Sequence, residues 1–244
     1  MPSRRTGRAA LILAGLALIG LAVGFTGLGN WQLRRAAERD ALTARFADAA
    51  NLPALEVPPT SGEAAESRYR RLQLTGRYVP GVQVLLDNMT HDGVAGYEVL
   101  TPFRPMAGGP AVVVNRGWIP ADPNRAELPA IAVGAEPRTV RGRIDRLPVP
   151  ALRLAAPEPA PEAVRVMSFP TIAELEHELG LELAPFQLRL DADAADGYLR
   201  DFEPATGMSS RRNRVYAGQW YLMAAGALVA GLALLVRNAA ASAR

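Results

Sequence analysis

The chain has 244 residues, 27 basic against 24 acidic, and a formal charge of +3; every basic residue is arginine, and cysteine is absent. Thiol redox chemistry, haem attachment through Cys-x-x-Cys-His and copper thiolate sites are thereby excluded. The arginines gather beside apolar runs instead of forming a stripe interleaved with aromatics, which argues against a nucleic-acid partner and for contact with a lipid bilayer, and the lysine-free composition points to a GC-rich bacterial genome.

Residues 1–8 carry Arg4, Arg5 and Arg8 ahead of an uncharged apolar run from Ala9 to Leu28. Twenty such residues rise about 30 Å as a helix, the thickness of the hydrocarbon core. A cleaved signal peptide is the alternative, but Gly29, Asn30, Trp31, Gln32 and Leu33 follow where a small-x-small cleavage site is required. An uncleaved anchor fits better. A helical extension over 29–44 would bring Trp31, Arg34, Arg35 and Glu38 onto neighbouring faces at the membrane surface. Gly20 and Gly24 form a Gly-x-x-x-Gly step suited to close helix packing.

From about Arg45 to Pro204 the chain is long enough for one core of ordinary domain size. Leu52 to Glu66, rich in Pro, Ala and Ser, reads as an irregular connection. Strands are expected over Tyr69–Val79, Val82–Leu86, Tyr97–Phe103, Ala111–Trp118, Thr139–Ile144 and Phe186–Leu190. In the first, Leu72, Leu74, Gly76 and Tyr78 alternate with Gln73, Thr75 and Arg77, giving one apolar and one polar face. His91 falls in a turn-like segment from Asn88 to Gly96. Arg153 to Ala163, with Pro157, Pro159 and Pro161, reads as a second loop. One helix is clear, because Thr171 and Glu174 make a capping box ahead of Leu175, Leu179 and a stop at Gly180.

Arg211, Arg212 and Arg214 precede a second uncharged run, Tyr216 to Val236, which Tyr216, Trp220 and Tyr221 open as headgroup-level aromatics; Ala227 and Gly231 make a small-xxx-small step within it. The expected organisation is a cytoplasmic tail (1–8), a membrane helix (9–28), a periplasmic β-rich domain (29–214, with the helical extension 29–44), a second membrane helix (215–236) and a cytoplasmic tail (237–244). The fold class is thus two transmembrane helices flanking a mainly antiparallel β domain, sheet or barrel, with one or two short helices.

Catalytic signatures are missing. The two histidines, His91 and His177, lie in no motif, no Gly-x-Ser-x-Gly elbow occurs, and the absence of lysine removes a Ser–Lys pair. Two separated histidines without cysteine give no zinc spacing, and Asp191, Asp193 and Asp196 lack the glycine and glutamate positions of a calcium loop. No enzyme and no metal centre are expected. For Asn115 to Pro120, chain geometry alone suggests a strand ending in a tight turn, with Gly117 at a special backbone angle and Trp118 in the core.

Three stretches resemble the Surfeit locus protein 1 family, called Shy in yeast. Leu28-Gly29-Asn30-Trp31-Gln32-Leu33-Arg34-Arg35 followed by Arg39 is similar to its first motif. Asn115-Arg116-Gly117-Trp118-Ile119-Pro120 matches its most specific one, preceded in order by Gly76-Arg77-Tyr78 and by Gly96-Tyr97-Glu98-Val99-Leu100-Thr101-Pro102. Tyr216-Ala217-Gly218-Gln219-Trp220-Tyr221 resembles the third. The resemblance implies an assembly factor for haem–copper cytochrome c oxidase in the bacterial inner membrane, aiding haem a insertion into subunit I, with subunit I and haem a synthase as partners. Apart from the family, two aromatic, arginine-bearing helix ends side by side, with Trp31, Arg34, Arg35, Tyr216 and Trp220, suit a grip on a propionate-bearing porphyrin such as haem a or on a partner helix, with simple interfacial anchoring as the alternative. The family's usual histidine, three residues before Tyr216, is replaced by Asn213, which is no strong haem-iron ligand. A permanent accessory subunit of a respiratory complex and a membrane-anchored hydrolase are the alternatives.

Overall fold

A computed structural model describes residues 3–122, 127–150, 164–201 and 208–240. In chain order the elements are α1 (Ser3–Ala50), β1 (Arg71–Tyr78), β2 (Gln83–His91), β3 (Val94–Pro105), β4 (Ala111–Pro120), β5 (Arg138–Asp145), β6 (Val164–Met167), α2 (Ile172–Leu179), β7 (Leu183–Leu190) and α3 (Ser210–Ala240). They divide into two compact units, a helix pair and Arg45–Glu203.

In the helix unit the expected membrane span and its extension form one uninterrupted helix, 48 residues and therefore ~72 Å long. α1 and α3 are both long and apolar enough to cross a membrane. Their most apolar windows are only 11% buried, so nearly all of that surface meets no protein. Lipid is the environment such a surface requires, because a core helix of a water-soluble domain would be covered.

The two helices run antiparallel along a seam of small residues. Gly15, Ala22, Gly29 and Ala36 are buried at seven-residue intervals on α1, and Ala217, Ala224, Gly231 and Asn238 repeat the interval on α3. Seven-residue spacing keeps one stripe facing the partner helix, and small side chains let the backbones approach. A Cβ on Gly231 would lie 2.9 Å from the Gly15 carbonyl oxygen, and one on Gly29 would lie 2.7 Å from the Tyr221 ring. Tyr221 donates to Asn30 Oδ1 at 2.7 Å. Gly20 and Gly24, the step expected to pack, meet nothing within 4 Å. They sit off the seam, which corrects that expectation; Gly231 of the second step does lie on it.

Arg45–Glu203 is built on a sheet ordered β1-β5-β7-β4-β3-β2-β6, with an added β1–β3 pairing that closes β1, β5, β7, β4 and β3 into a five-stranded barrel. β3 is long enough, at 12 residues, to pair with β2 through its first half, with β4 from Gly96 to Phe103 and with β1 at its end. Pairing is antiparallel except β4–β7 and β2–β6. Leu72, Leu74 and Tyr78 point inward as their alternation requires, and meet Phe103, Val114 and Phe186 in the barrel core. Gly76 sits at the closure, where any Cβ would be 2.2 Å from the Arg104 carbonyl oxygen. α2 has the capping box of Thr171 and Glu174 and the left-handed stop at Gly180, and Leu175 buries it on the face formed by Val84, Leu86, Leu100 and Val113.

Two expectations change. Asn88 to His91 is strand, not turn: the reversal is the Asp92-Gly93 pair, both with positive φ, inside a β2–β3 hairpin. β6 was not expected; it is a four-residue edge strand. The Pro157, Pro159 and Pro161 stretch lies outside the described residues.

The seam generates the first prediction. Gly15→Leu or Gly231→Leu should destabilise the helix pair by about 1–3 kcal/mol through overpacking, whereas Gly24→Leu should change it by less than about 0.5 kcal/mol. Thermal unfolding of the full chain in detergent measures both; equal losses at Gly24 and Gly15 would refute the seam.

Candidate functional site

On the helix unit, the residues singled out from sequence occupy two kinds of position. Gln32, Ala36, Asn213 and Ala217 are buried in the seam. Trp31, Arg34, Arg35 and Tyr216 are exposed, Trp31 at 45% and Tyr216 at 39%. The Arg35 guanidinium lies 5.9 Å from the Trp31 ring centre and pairs with Glu38 at 3.3 Å. Trp220 is half-buried and stacks on Phe25, with ring centres 5.7 Å apart and an interplanar angle of 30°. Among the described residues no ring contact joins Trp31 to Tyr216 or Trp220. Gly29 is a seam residue, so its place in the first motif has a packing cause. Arg214 pairs with Asp40 across the two helices, both partly exposed.

Within Arg45–Glu203, the Asn115 to Pro120 motif does not end in a tight turn. β4 continues through Pro120, and a bulge sets Arg116 and Gly117 of β4 against the single residue Val99 of β3, between the pairs Trp118–Glu98 and Asn115–Leu100. Gly117 has φ +107°, and a Cβ there would meet the Leu199 carbonyl oxygen at 2.6 Å. Trp118 is half-buried and not in the core; its Nε1 donates to the Met89 carbonyl at 3.1 Å and its ring covers Gly96. The bulge is what turns Trp118 onto the hairpin.

Asn115, fully buried, donates from Nδ2 to Glu98 at 2.6 Å and to Gln187 at 2.9 Å, while its Oδ1 accepts from the Gly117 N–H at 3.0 Å. Glu98 is the acid of the Gly96-to-Pro102 motif, so two separately recognised motifs meet through one hydrogen bond. Arg116 is 3% exposed and donates to the carbonyls of Asp196 at 2.7 Å and Ile131 at 2.8 Å. Its guanidinium also lies 5.1 Å from the Tyr198 ring centre and 5.7 Å from that of Tyr78.

Other polar clusters had no motif to announce them. Arg68 and Arg189 share Asp145, at 2.8 and 3.1 Å, beside a cavity of about 210 Å3 that Arg68, Asp145 and Arg146 line. Arg200 donates to the carbonyls of Asp191, Ala192, Ala194 and Tyr198, which organises the acidic loop that sequence reading compared with a calcium site. Phe46 meets Tyr69 edge-on and carries the Arg143 guanidinium 4.4 Å above its face. Only the local charge and aromatic content of these segments is visible in sequence; the partners of Arg68, Arg189 and Arg143 lie tens of residues away.

A β-barrel domain between two helices suited to a bilayer defines the chain as a membrane protein with one folded domain between its spans. The model of the SURF1 family matches residues 19–225, and the chain belongs to that family. An uncharacterised SURF1-like protein of Mycobacterium bovis is 33% identical over 99 residues, 39% of this chain and 36% of the relative. Cytochrome oxidase assembly protein SHY1 of Saccharomyces cerevisiae is 29% identical over 94 residues, 38% of this chain and 24% of the relative. Surfeit locus protein 1 of Takifugu rubripes is 24% identical over 116 residues, 41% of this chain and 48% of the relative. The chain therefore spans less than half the length of each of these three.

Burial pushes the Tyr78 phenol up to about 12 from an ordinary value of 10.0, with the Arg116 charge opposing the shift, and the hydroxyl has no hydrogen-bond partner. The unfolded chain loses that proton near pH 10 and the folded one near 12. The stability this group contributes is thus fully present below pH 10 and disappears as pH rises through 12. Two pH units correspond to roughly 3 kcal/mol at full deprotonation. Tyr78→Phe should leave stability near neutrality within about 1 kcal/mol and flatten the alkaline loss. Denaturant titrations at neutral pH and across that window test it, and an unchanged alkaline slope would count against the assignment.

Proposed function

We propose that this chain is a non-enzymatic assembly factor for haem–copper cytochrome c oxidase, seated in the bacterial inner membrane with both termini cytoplasmic and the β-rich domain periplasmic. The observation that carries the reading is the SURF1 family match from residue 19 to residue 225, from within the first span through the whole domain and into the second, together with the assembly role in the name of the yeast relative. Subunit I is the proposed client, with haem a synthase as a neighbouring partner. Orientation follows from length, since a domain of this size translocates largely regardless of its charge while short tails obey the positive-inside rule.

Deleting the gene should lower haem a-containing oxidase activity several-fold without lowering subunit transcripts, and restoring the natural chain should recover it. Alkaline phosphatase fused near Pro150 should be active in the same cells. Normal oxidase spectra in the deletion strain would sink the assembly role. Stoichiometric recovery of the chain with mature oxidase would make it an accessory subunit instead.

Haem a is proposed to touch the protein only in passing. Asn213 offers no strong iron ligand and is 5% exposed, facing the helix seam instead of open space. Trp31, Tyr216 and the arginines Arg34 and Arg35 are exposed and suited to ring packing and propionate contact. These residues do not make an axial site, so haem ligation during insertion is assigned to a partner. The full chain purified from cells that make haem a should therefore lack a low-spin spectrum. Tight low-spin haem in the natural chain would place a ligand elsewhere on it.

A further inference from the structure

The outer surface of the barrel along β1 is cationic in an unusual way. In the pairing register Arg71 stands directly opposite Arg143, and Arg77 directly opposite Arg104. Like charges facing each other across adjacent strands are destabilising, and here the arrangement occurs at both ends of one strand. Arg141, opposite Gln73, adds a fifth guanidinium and bonds only to that neutral amide, at 2.8 Å. No Asp or Glu occurs in β1 or over residues 138–143 of β5. Among the described residues, the side chains of Arg71, Arg77 and Arg104 have no hydrogen bond or ion pair. The Arg143 guanidinium is held below its usual value first by burial and then by Arg71, with the Asp191 charge opposing the shift.

A cost accepted twice on one strand needs a compensating contact outside the chain. Strand addition is ruled out as the mode, because β1 is already bonded to β5 and Leu55 along its first half and to β3 at its end. Recognition must then run through side chains. Arginine forks suit carboxylates, which they bind in pairs of parallel hydrogen bonds. From Arg71 to Arg77 the stripe runs about 20 Å along the strand. A five-stranded barrel is sharply convex, so a flat layer of headgroups reaches only its crest, whereas a polypeptide segment can follow the strand for its full length.

We propose that this face docks an acidic segment of a partner protein, whose carboxylates are taken by Arg71, Arg77, Arg104 and Arg141. The inference stands on the barrel surface alone and does not depend on the oxidase reading.

The test uses the full chain in phosphatidylcholine nanodiscs and, as probe, a short peptide of alternating glutamate and alanine. The decisive variant is Arg71→Glu with Arg77→Glu, which turns both like-charge pairs into opposite-charge pairs. Affinity for the peptide at low salt should fall at least about tenfold, while the melting temperature should hold or rise by about 1–4 °C. Arg8→Gln with Arg237→Gln, outside the barrel, should bind as the natural chain does. Unchanged affinity in the charge-reversed variant overturns the proposal, and so does a fall in its melting temperature, which would make these arginines structural. Hydrogen exchange adds the last arm: protection of β1 in phosphatidylglycerol nanodiscs without peptide would identify the bilayer as the partner and overturn it too.

Discussion

A guanidinium that is 3% exposed and has no carboxylate against it among the described residues must be solvated by the protein itself, and much of the barrel is arranged to do this for Arg116. Two main-chain carbonyls and two tyrosine faces surround it. The carbonyls come from Ile131 and Asp196, so one side chain fixes two long connections against β4. The bulge at Gly117 then lets Tyr198 and Leu199 bond to the β4 backbone on either side, through the Arg116 carbonyl and Trp118. Loss of the arginine would leave those acceptors unpaired in a buried site, which costs more than the hydrogen bonds themselves contribute. A lysine offers one point charge and three rotatable donors, and cannot span two carbonyls in a plane while presenting a flat face to aromatic rings.

Arginine solves the same problem elsewhere in this lysine-free chain. Arg200 gathers four carbonyls of the segment from Asp191 to Tyr198, and Arg138 joins that segment through Asp196 while lying 5.4 Å from the Tyr78 ring centre. The Arg200 bonds to Asp191, Ala194 and Tyr198 are partly buried, and salt screens them less than it screens the open arginines of β1.

Local pattern made the β domain legible. Alternation in β1, apolar runs in β3 and β4, and the capping box of α2 are short-range signals, and each element lies where its signal puts it, within a few residues. Pairing of distant segments was not legible: β6 is four residues long and half-exposed, and it is held by parallel pairing with β2 and by an Arg165–Glu178 ion pair to α2. The bulge was hidden for a related reason, since an extra residue in β4 is defined only against β3. In the helices, Gly20 and Gly24 offered the more familiar spacing, yet the used stripe is set by which small residues recur every seventh position on both helices at once. The exposed residues Trp31 and Tyr216 were placed at the membrane surface by residue type alone, and nothing in their spacing foretold that Trp220 would turn to Phe25 instead.

Asn213 lies one turn before Ala217 in the helix seam, where Gln32 and Asn238 are also buried polar side chains. Polar residues buried between helices specify register and partner at some expense of stability. Asn213 faces this seam, whereas Trp31, Arg34, Arg35 and Tyr216 on the same two helices are exposed. Buried polar side chains thus set how the pair packs, and the open aromatic and arginine side chains are what a partner helix can reach.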